Sequence, residues 1–187
     1  MEIVKPTPIC PEDEAYIQYI DAHRKNLLTA FYRFAPQICL CLSLLGPSYK
    51  ELRKRIGDHD ASKYTVEEFE PYRQFFFPVE GQEKNKDRFL RGWRHHYTNN
   101  KHHWEYWLQN GSPAEMDKFS IAEMILDWIA MSIQFKNNPN VWYRQNKKRI
   151  VLHKRTQESV EKIMETLAKS KEYPFSIRPY RRTRQKK

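Results

Sequence analysis

The sequence predicts an all-α protein folded as a single-domain helical bundle, and three observations support this class. Only five of the 187 residues are glycine, whereas Leu, Lys, Arg and Glu, which favour helices, are abundant. In several segments, apolar residues recur every three or four positions, which is the spacing of one helix face. We find no internal repeat and no convincing set of strands. A chain of this length can bury one core of ordinary size.

The chain divides into three regions. Prolines at positions 6, 8 and 11 predict an extended leader over residues 1–11, and residues 12–175 form the helical domain. The last ten residues, RPYRRTRQKK, hold six Arg or Lys and no acid, so residues 176–187 form a basic tail. The whole chain carries a formal charge of +10, and the tail favours an anionic partner such as a nucleotide or nucleic acid. A solvated tail without a partner is the alternative.

The first half of the domain contains three predicted elements. The first helix covers residues 11–34, because Pro11 and the acidic residues after it suit a helix N-terminus. Residues 35–46 form a second, separate buried segment that ends at a Gly-Pro pair. The next helix covers residues 48–60 and ends in the motif GDHDASKY.

The second half is predicted as a series of helices. Thr65 and Glu68 form a capping-box pattern that leads into a short helix, limited by Pro71 and Pro78. The glutamates of this segment, Glu68 among them, are expected to serve as caps and surface charge. The remaining elements are predicted helices over residues 85–97 and 102–111, a long apolar helix over residues 112–135, a turn over residues 137–142, and an amphipathic helix or pair of helices over residues 142–170.

Three polar residues stand on helix faces that are otherwise apolar. His23 lies three residues after Ile20, and so projects from an apolar stripe. His59 has the same relation to Ile56, and Asp127 lies inside the apolar segment IAEMILDWIAM. Taken singly, each has an ordinary explanation as a hydrogen-bonded core histidine or a paired aspartate, because a buried carboxylate needs a positive partner. Together, they indicate a divalent metal site with positions open for water and substrate.

A histidine on one helix is followed by a His-Asp pair on the next helix and an aspartate on a later one, in the order His23, His59, Asp60 and Asp127. This order resembles the HD-domain superfamily of metal-dependent phosphohydrolases. The segment HDASK is similar to the His-Asp-x-Gly-Lys form of the signature, with a serine in place of the glycine. The resemblance covers about residues 15–135. It implies a helical bundle of HD-domain type, in which these four residues hold the first metal.

A second group of histidines lies in the segment GWRHHYTNNKHHWEYW, where four of the seven histidines fall within residues 95–103. Some HD-domain proteins use extra histidines at this place to hold a second metal, so the resemblance implies a two-metal site. His96 and His103 are the preferred ligands, because their spacing from tryptophans places them on the buried sides of their helices. His95 and His102 are the alternates. A polar, aromatic surface turn is the other explanation of this segment.

The resemblance implies hydrolysis of a phosphoester. One or two divalent ions, drawn from Mn, Fe, Co, Zn and Mg, would activate water for attack at phosphorus. Asp60 would bridge the ions and Lys63 would lie near the scissile phosphate, with Arg94 as a further cation. Expected substrates are a nucleotide, a cyclic dinucleotide, a nucleic-acid end or another phosphorylated small molecule. The pattern HDASK…EEFEPYRQFF…HH…NNKHHWEYW is also similar to a family of short bacterial and phage proteins of unknown function, which brings no activity with it.

Two other functions remain open. HD-type di-iron oxygenases hold two irons with the same ligand types and cleave C–C or C–P bonds with oxygen. The other alternative is a basic nucleic-acid-binding or phage accessory protein on an HD scaffold, which would use the tail and the Trp/Tyr/His cluster. Lys63 favours it, because nucleotidase-type HD proteins often carry an acidic residue there. Asp127 disfavours it, because a pure binder has no need of a carboxylate on an apolar helix.

Several protein classes are excluded. The chain has no Walker loop, GxGxxG motif or GxSxG elbow, which excludes the corresponding kinases, dehydrogenases and serine hydrolases. Its three cysteines form no recognisable disulfide framework. The most apolar run, ICLCLSLLG, is far shorter than the ~20 residues of a spanning helix, and the N-terminus has no signal-peptide pattern. We therefore expect a cytoplasmic protein, in the host cytoplasm if a phage encodes it, with no membrane partner and an open oligomeric state.

Overall fold

The computed structural model describes residues 5–169. Within this range, seven α-helices, two short 3-10 helices and one two-stranded ribbon form the regular structure, which confirms the predicted all-α, single-domain class. The α-helices are α1 (Pro11–Leu42), α2 (Pro47–Asp58), α3 (Val66–Phe76), α4 (Lys86–Asn99), α5 (Lys118–Phe135), α6 (Pro139–Asn146) and α7 (Lys154–Ala168). The 3-10 helices cover Ala61–Tyr64 and Trp104–Trp107, and the antiparallel ribbon consists of β1 (Leu108–Gln109) and β2 (Ser112–Pro113).

The two ends of the chain relate differently to their predictions. Residues 5–10 of the predicted leader contain no helix or strand. The predicted basic tail, residues 176–187, lies outside the described residues. Across residues 5–169, every helix is too short or too polar to cross a membrane.

The core lies between α1 and α5, which pack against each other more extensively than any other pair of described helices. Leu27, Phe31 and Phe34 of α1 are completely buried, as are Ile125 and Ile129 of α5. Helices α2 and α7 flank α1, whereas α3 packs chiefly against α4. Burial of apolar surface contributes roughly 25 cal/mol per Å² removed from water, so the core between α1 and α5 stabilises the fold.

Helix α1 is continuous, so the predicted break after residue 34 is wrong. Pro36 lies inside the helix, although a proline in a helix interior lacks a hydrogen-bond donor and costs about 3 kcal/mol. The helix continues because Phe34, Ala35 and Ile38 are fully buried, and a break would disrupt that apolar face. Burial of the face outweighs the local cost of the proline.

The segment between α4 and α5 also differs from its prediction. Instead of a helix over residues 102–111, a 3-10 turn leads into a tight hairpin whose Asn110 and Gly111 have φ values of 51° and 80°. Asn-Gly is the preferred pair for a two-residue hairpin turn, because both residues tolerate positive φ. Helix α5 therefore begins at Lys118, behind the N-cap residue Asp117, and not at the start of the hairpin's second strand.

Other helix boundaries need smaller corrections. Helix α3 runs through Pro71 without interruption, and ends before Pro78 as expected. The segment predicted as a turn over residues 137–142 begins α6, because the Asn138 side chain caps the helix by accepting backbone hydrogen bonds. The last amphipathic region is the pair of helices α6 and α7, which was one of the two predicted arrangements.

Replacing Gly92 by alanine should lower the free energy of unfolding by about 1–3 kcal/mol, the usual cost of overpacking. On α4, Gly92 faces α3, and a Cβ there would lie 2.8 Å from Cβ of Pro71 and 3.3 Å from the carbonyl oxygen of Glu67. Urea denaturation measures the change. Gly57→Ala is the matched control, since a Cβ at this helical position meets nothing within 4 Å. Equal stability of the two variants would contradict the close packing of α3 on α4.

Candidate metal centre

Four of the predicted ligands meet in the interior of the domain. Nε2 of His23, on α1, lies 3.1 Å from Oδ1 of Asp127 on α5 and 3.5 Å from Nε2 of His59, which follows α2. Oδ1 of Asp60 lies 3.5 Å from the same nitrogen of His59. The ligand atoms of His23, His59 and Asp60 all lie within 4.8 Å of one another, as do those of His59, His102 and Asp127, so Asp127 joins the group through its contacts with the histidines. We call these four residues the first set.

The His-Asp pair is presented by a turn and not by a helix. Helix α2 ends at Asp58, His59 has a ψ of 133°, and Asp60 takes the left-handed conformation with a φ of 57°. The helix predicted through residue 60 therefore stops before the pair. Arg24 of α1 holds the turn, because its guanidinium donates hydrogen bonds to the carbonyl oxygens of Gly57 (2.6 Å) and His59. Carbonyl groups at a helix end otherwise lack hydrogen-bond partners. By holding this turn, Arg24 fixes the directions in which the side chains of His59 and Asp60 project.

A second set of ligand atoms also meets at Asp60. Nε2 of His96, on α4, lies 3.3 Å from Oδ1 of Asp60, and Nε2 of His102 lies 3.5 Å from the same oxygen. With His103 included, one ligand atom of each residue lies within 4.8 Å of all the others. We call Asp60, His96, His102 and His103 the second set. Asp60 belongs to both sets.

The structure separates the four clustered histidines into different roles. The preferred ligands His96 and His103 are joined by His102, which the sequence offered only as an alternate. His95 lies outside both sets, because its side chain is 36% exposed and its Nδ1 lies 2.9 Å from Oε1 of Glu68. His102 was harder to predict because it follows the end of α4. Helical spacing therefore does not indicate which way its side chain points.

Two buried glutamates contact the Nδ1 atoms of three of the histidines. Oε1 of Glu123, on α5, lies 2.9 Å from Nδ1 of His59 and 3.4 Å from Nδ1 of His102. Oε2 of Glu68, on α3, lies 2.7 Å from Nδ1 of His96. A carboxylate accepts the hydrogen of Nδ1, which leaves Nε2 of each histidine with the lone pair that can bind a metal ion.

Neither glutamate was predicted from the sequence to lie at the site. Glu68 was predicted to form a capping box with Thr65, but the Thr65 side chain makes no cap hydrogen bond and Glu68 is completely buried. The prediction was wrong because the histidines of α4 bind this carboxylate. Glu123 lies four residues before Asp127, so the two carboxylates share one side of α5. The argument that singled out Asp127 on an apolar helix applies equally to Glu123 and would have found it.

The buried polar atoms of the cluster suit a divalent cation. Nε2 of His96, Nε2 of His102 and Oδ1 of Asp60 are all buried and have no hydrogen-bond partner. The large majority of buried side-chain polar atoms in proteins have such a partner. A shared cation would explain three neighbouring exceptions, because imidazole nitrogens and carboxylate oxygens are ligands of divalent transition metals. The described residues thus contain buried His/Asp clusters that could bind a metal ion.

The electrostatic environment keeps Asp60, Glu123 and His103 in the forms that bind metals. The pKa of His96 is raised instead, because the opposing effect of burial is outweighed by Asp60 and Glu68. Burial acts to raise the pKa of Asp60, but His59 and Lys63 help to hold it well below its usual value. Burial likewise opposes ionisation of Glu123, yet its histidine partners lower its pKa to about 2. Burial and the neighbouring histidines lower the pKa of His103 well below its usual value, so its ring is neutral. Ionised carboxylates and neutral imidazoles are the forms that coordinate metal ions.

Replacing Glu123 by glutamine should weaken metal binding about 10- to 100-fold, the usual effect of removing a carboxylate that orients a ligand histidine. The variant keeps the size of the side chain, but His59 and His102 lose their charged acceptor. Competition with a chelator measures the affinity, and thermal unfolding checks the fold. The control is Glu115→Gln, because this exposed glutamate lies 3.4 Å from Arg155 and belongs to none of the groups of candidate ligands. Unchanged metal affinity in Glu123→Gln would show that Glu123 does not orient the ligands.

The fold and the cluster define this molecule as a single-domain, all-α protein with a buried histidine–carboxylate centre that could bind a metal ion. Comparison with protein families matches residues 12–166 to "Family of unknown function (DUF5662)". Since the match spans well over half of the chain, the protein belongs to the DUF5662 family. The comparisons with curated proteins and with solved structures gave no match.

Proposed function

We propose that the protein is a metal-dependent phosphohydrolase of HD-domain type, which acts on a nucleotide or another phosphorylated small molecule. One observation carries the proposal: the two sets of histidine and aspartate ligand atoms share the carboxylate of Asp60. An arrangement of this kind could hold two ions, and two ions suit phosphoester hydrolysis because the attacking and leaving oxygens both need stabilisation. The resemblance of the ligand order to HD-domain enzymes supports the same reaction.

The donor atoms could hold one or two of the ions Mn, Fe, Co, Zn and Mg. A divalent metal bound here would lower the pKa of its bound water towards neutrality and would polarise a phosphoryl oxygen. Asp60 would contribute its carboxylate to both sets. Glu68 and Glu123 keep the histidine rings oriented. In the reaction, water adds to phosphorus, the P–O ester bond breaks and the leaving oxygen takes up a proton. No redox partner is required.

Lys63 is the cation that we assign to the phosphoryl oxygens. Its Nζ lies 2.6 Å from Oδ2 of Asp60, and its side chain is 18% exposed, so a ligand at the cluster could reach it. A positive charge at this point would offset the negative charge that develops on the phosphoryl group. Arg94, the other cation predicted for this role, is exposed on α4, and we assign it none.

Metal analysis and a hydrolysis assay together test the proposal. Purified protein should contain one or two equivalents of a divalent metal and should hydrolyse p-nitrophenyl phosphoesters or nucleotides. Both properties should disappear on chelation and return on reloading. Two irons with oxygen consumption and no phosphoester hydrolysis would establish the di-iron oxygenase instead. Failure to retain any metal after loading would overturn the proposal and favour the nucleic-acid-binding alternative.

Replacing Lys63 by methionine should lower the rate of hydrolysis about 100-fold, comparable to the loss of one donor to a developing oxyanion. Methionine keeps much of the length of the side chain and removes its charge. Steady-state kinetics measure the rate, and metal analysis should show the same metal content as the unaltered protein. Lys54→Met is the control, because Lys54 is an exposed residue of α2. A fully active Lys63→Met variant would remove Lys63 from the mechanism.

Two further expectations stay predictions. One is a cytoplasmic location, and the other is a contact between nucleic acid and the basic tail, which lies outside the described residues. Salt-sensitive binding of nucleic acid that disappears on deletion of residues 178–187 would assign the contact to the tail. Binding that survives this deletion would place the contact elsewhere in the protein.

A further inference from the structure

A cavity of about 360 Å³ opens beside the candidate metal centre. His102, His103 and Asp127 form part of its wall, so a molecule in the cavity would lie against ligand residues of both sets. The volume falls within the range of about 300–1,000 Å³ that small-molecule sites usually have. The cavity could therefore hold the organic part of a substrate whose phosphoryl group reaches the cluster.

The wall of the cavity is rich in tryptophan. Four of the chain's five tryptophans line it, and each comes from a different element: Trp93 from α4, Trp104 from the second 3-10 helix, Trp128 from α5 and Trp142 from α6. All four side chains are half-buried. Half-buried rings from four separate elements that converge on one cavity form an aromatic surface available to a ligand.

The charged groups that line the cavity are acidic. Asp127 and Glu105 lie in its wall, and Oε2 of Glu105 is buried with no hydrogen-bond partner. Among the lining residues in the described part of the chain, none is Lys or Arg. Such a wall would not stabilise an anionic group. A cation in the cavity could contact both the Glu105 carboxylate and the aromatic rings.

We propose that the cavity binds an alkylammonium group, and that the substrate is a small phosphoester which carries such a cation. The faces of aromatic rings attract cations, tryptophan most strongly, and aromatic cages bind quaternary ammonium groups in this way. The phosphoester part of this proposal rests on the function proposed above, whereas the cation part rests on the cavity. A neutral nucleobase would also stack on tryptophan, but it carries no positive charge for the faces of the aromatic rings to attract.

Binding of choline and of its uncharged isostere, 3,3-dimethylbutan-1-ol, tests the cation directly. Each compound is titrated against the full-length protein as purified, with tryptophan fluorescence as the readout and calorimetry as a check. Choline should bind at least about tenfold more tightly, because cation–π attraction and the carboxylate act on the charged compound alone. Glu105→Gln should reduce this preference, and Glu115→Gln should not. The comparison of the two ligands on the unaltered protein stands even where a variant fails to fold.

The outcomes separate this proposal from the proposed function. Binding of the isostere as tight as that of choline, or tighter binding of adenosine than of choline, would overturn the cation assignment even where phosphoesters are hydrolysed. A clear preference for choline without hydrolysis of any phosphoester would support the cation site and overturn the hydrolase. If the protein is a hydrolase, kcat/KM for phosphocholine should exceed that for 3,3-dimethylbutyl phosphate about tenfold. Equal values for the two esters would overturn the substrate class.

Discussion

Replacing Asp60 by asparagine should remove metal binding from both sets of ligands and lower turnover by at least about a thousandfold. Oδ1 of this residue lies 3.3 Å from Nε2 of His96 and 3.5 Å from Nε2 of both His59 and His102. The amide has nearly the same shape, but it loses the charge that the two sets share. Metal ions supply several kcal/mol of transition-state stabilisation, and each loss of about 1.36 kcal/mol lowers the rate tenfold.

The metal content of Asp60→Asn is measured by elemental analysis and its activity by single-turnover kinetics. Asp58→Asn is the matched control, since Asp58 lies two residues earlier and is exposed at the end of α2. Circular dichroism shows whether both variants keep the helical fold. A folded Asp60→Asn protein that retained its full complement of metal would refute the shared site. Loss of metal in the Asp58→Asn control would point to a general effect on the turn.

In a protein that holds two ions, replacing His96 by glutamine should remove one equivalent of metal and reduce activity at least about 100-fold, because loss of a ligand should cost at least as much as loss of a residue that only orients one. His96 belongs only to the second set, and its Nε2 lies 3.3 Å from Oδ1 of Asp60. The first set does not include it, so the remaining ion should stay bound. Titration of metal-free protein with Mn²⁺ or Zn²⁺ measures the stoichiometry.

His95→Gln is the control for this experiment. His95 and His96 both contact Glu68, at 2.9 Å and 2.7 Å, but only His96 belongs to a candidate ligand set. The His95 variant should therefore keep both ions and most of its activity. If both variants lost one ion, the shared contact with Glu68 would explain the loss, and His96 would not be established as a ligand. Two ions in the His96 variant would contradict the second set.

Local periodicity was sufficient to single out most of the first set. The position of His23 on the apolar side of α1 follows from its spacing from Ile20, and Asp127 is conspicuous inside an apolar helix. These relations act over three or four residues and do not depend on which helices pack together. In the structure, Nε2 of His23 lies 3.1 Å from Oδ1 of Asp127 and 3.5 Å from Nε2 of His59.

Predictions from local sequence patterns were wrong where contacts between distant parts of the chain determine the structure. Pro36 and the capping pattern at Glu68 each have a standard local interpretation, and both interpretations were wrong. Burial of the α1 face against the core keeps the helix intact through Pro36. The packing of α4 on α3 places Nδ1 of His96 2.7 Å from Oε2 of Glu68. Glu68, a residue type usually found at the surface, is therefore buried as the partner of a histidine.

The sequence by itself thus determined the all-α class and the inward positions of His23 and Asp127, because both follow from spacing along a single helix. Only the tertiary structure decided that His102 joins the second set, that Glu68 and Glu123 support the histidines, and that four tryptophans line one cavity. Those contacts join segments that are far apart in the chain. Their geometry is set by how the helices bury their apolar faces together, and no local pattern records that arrangement.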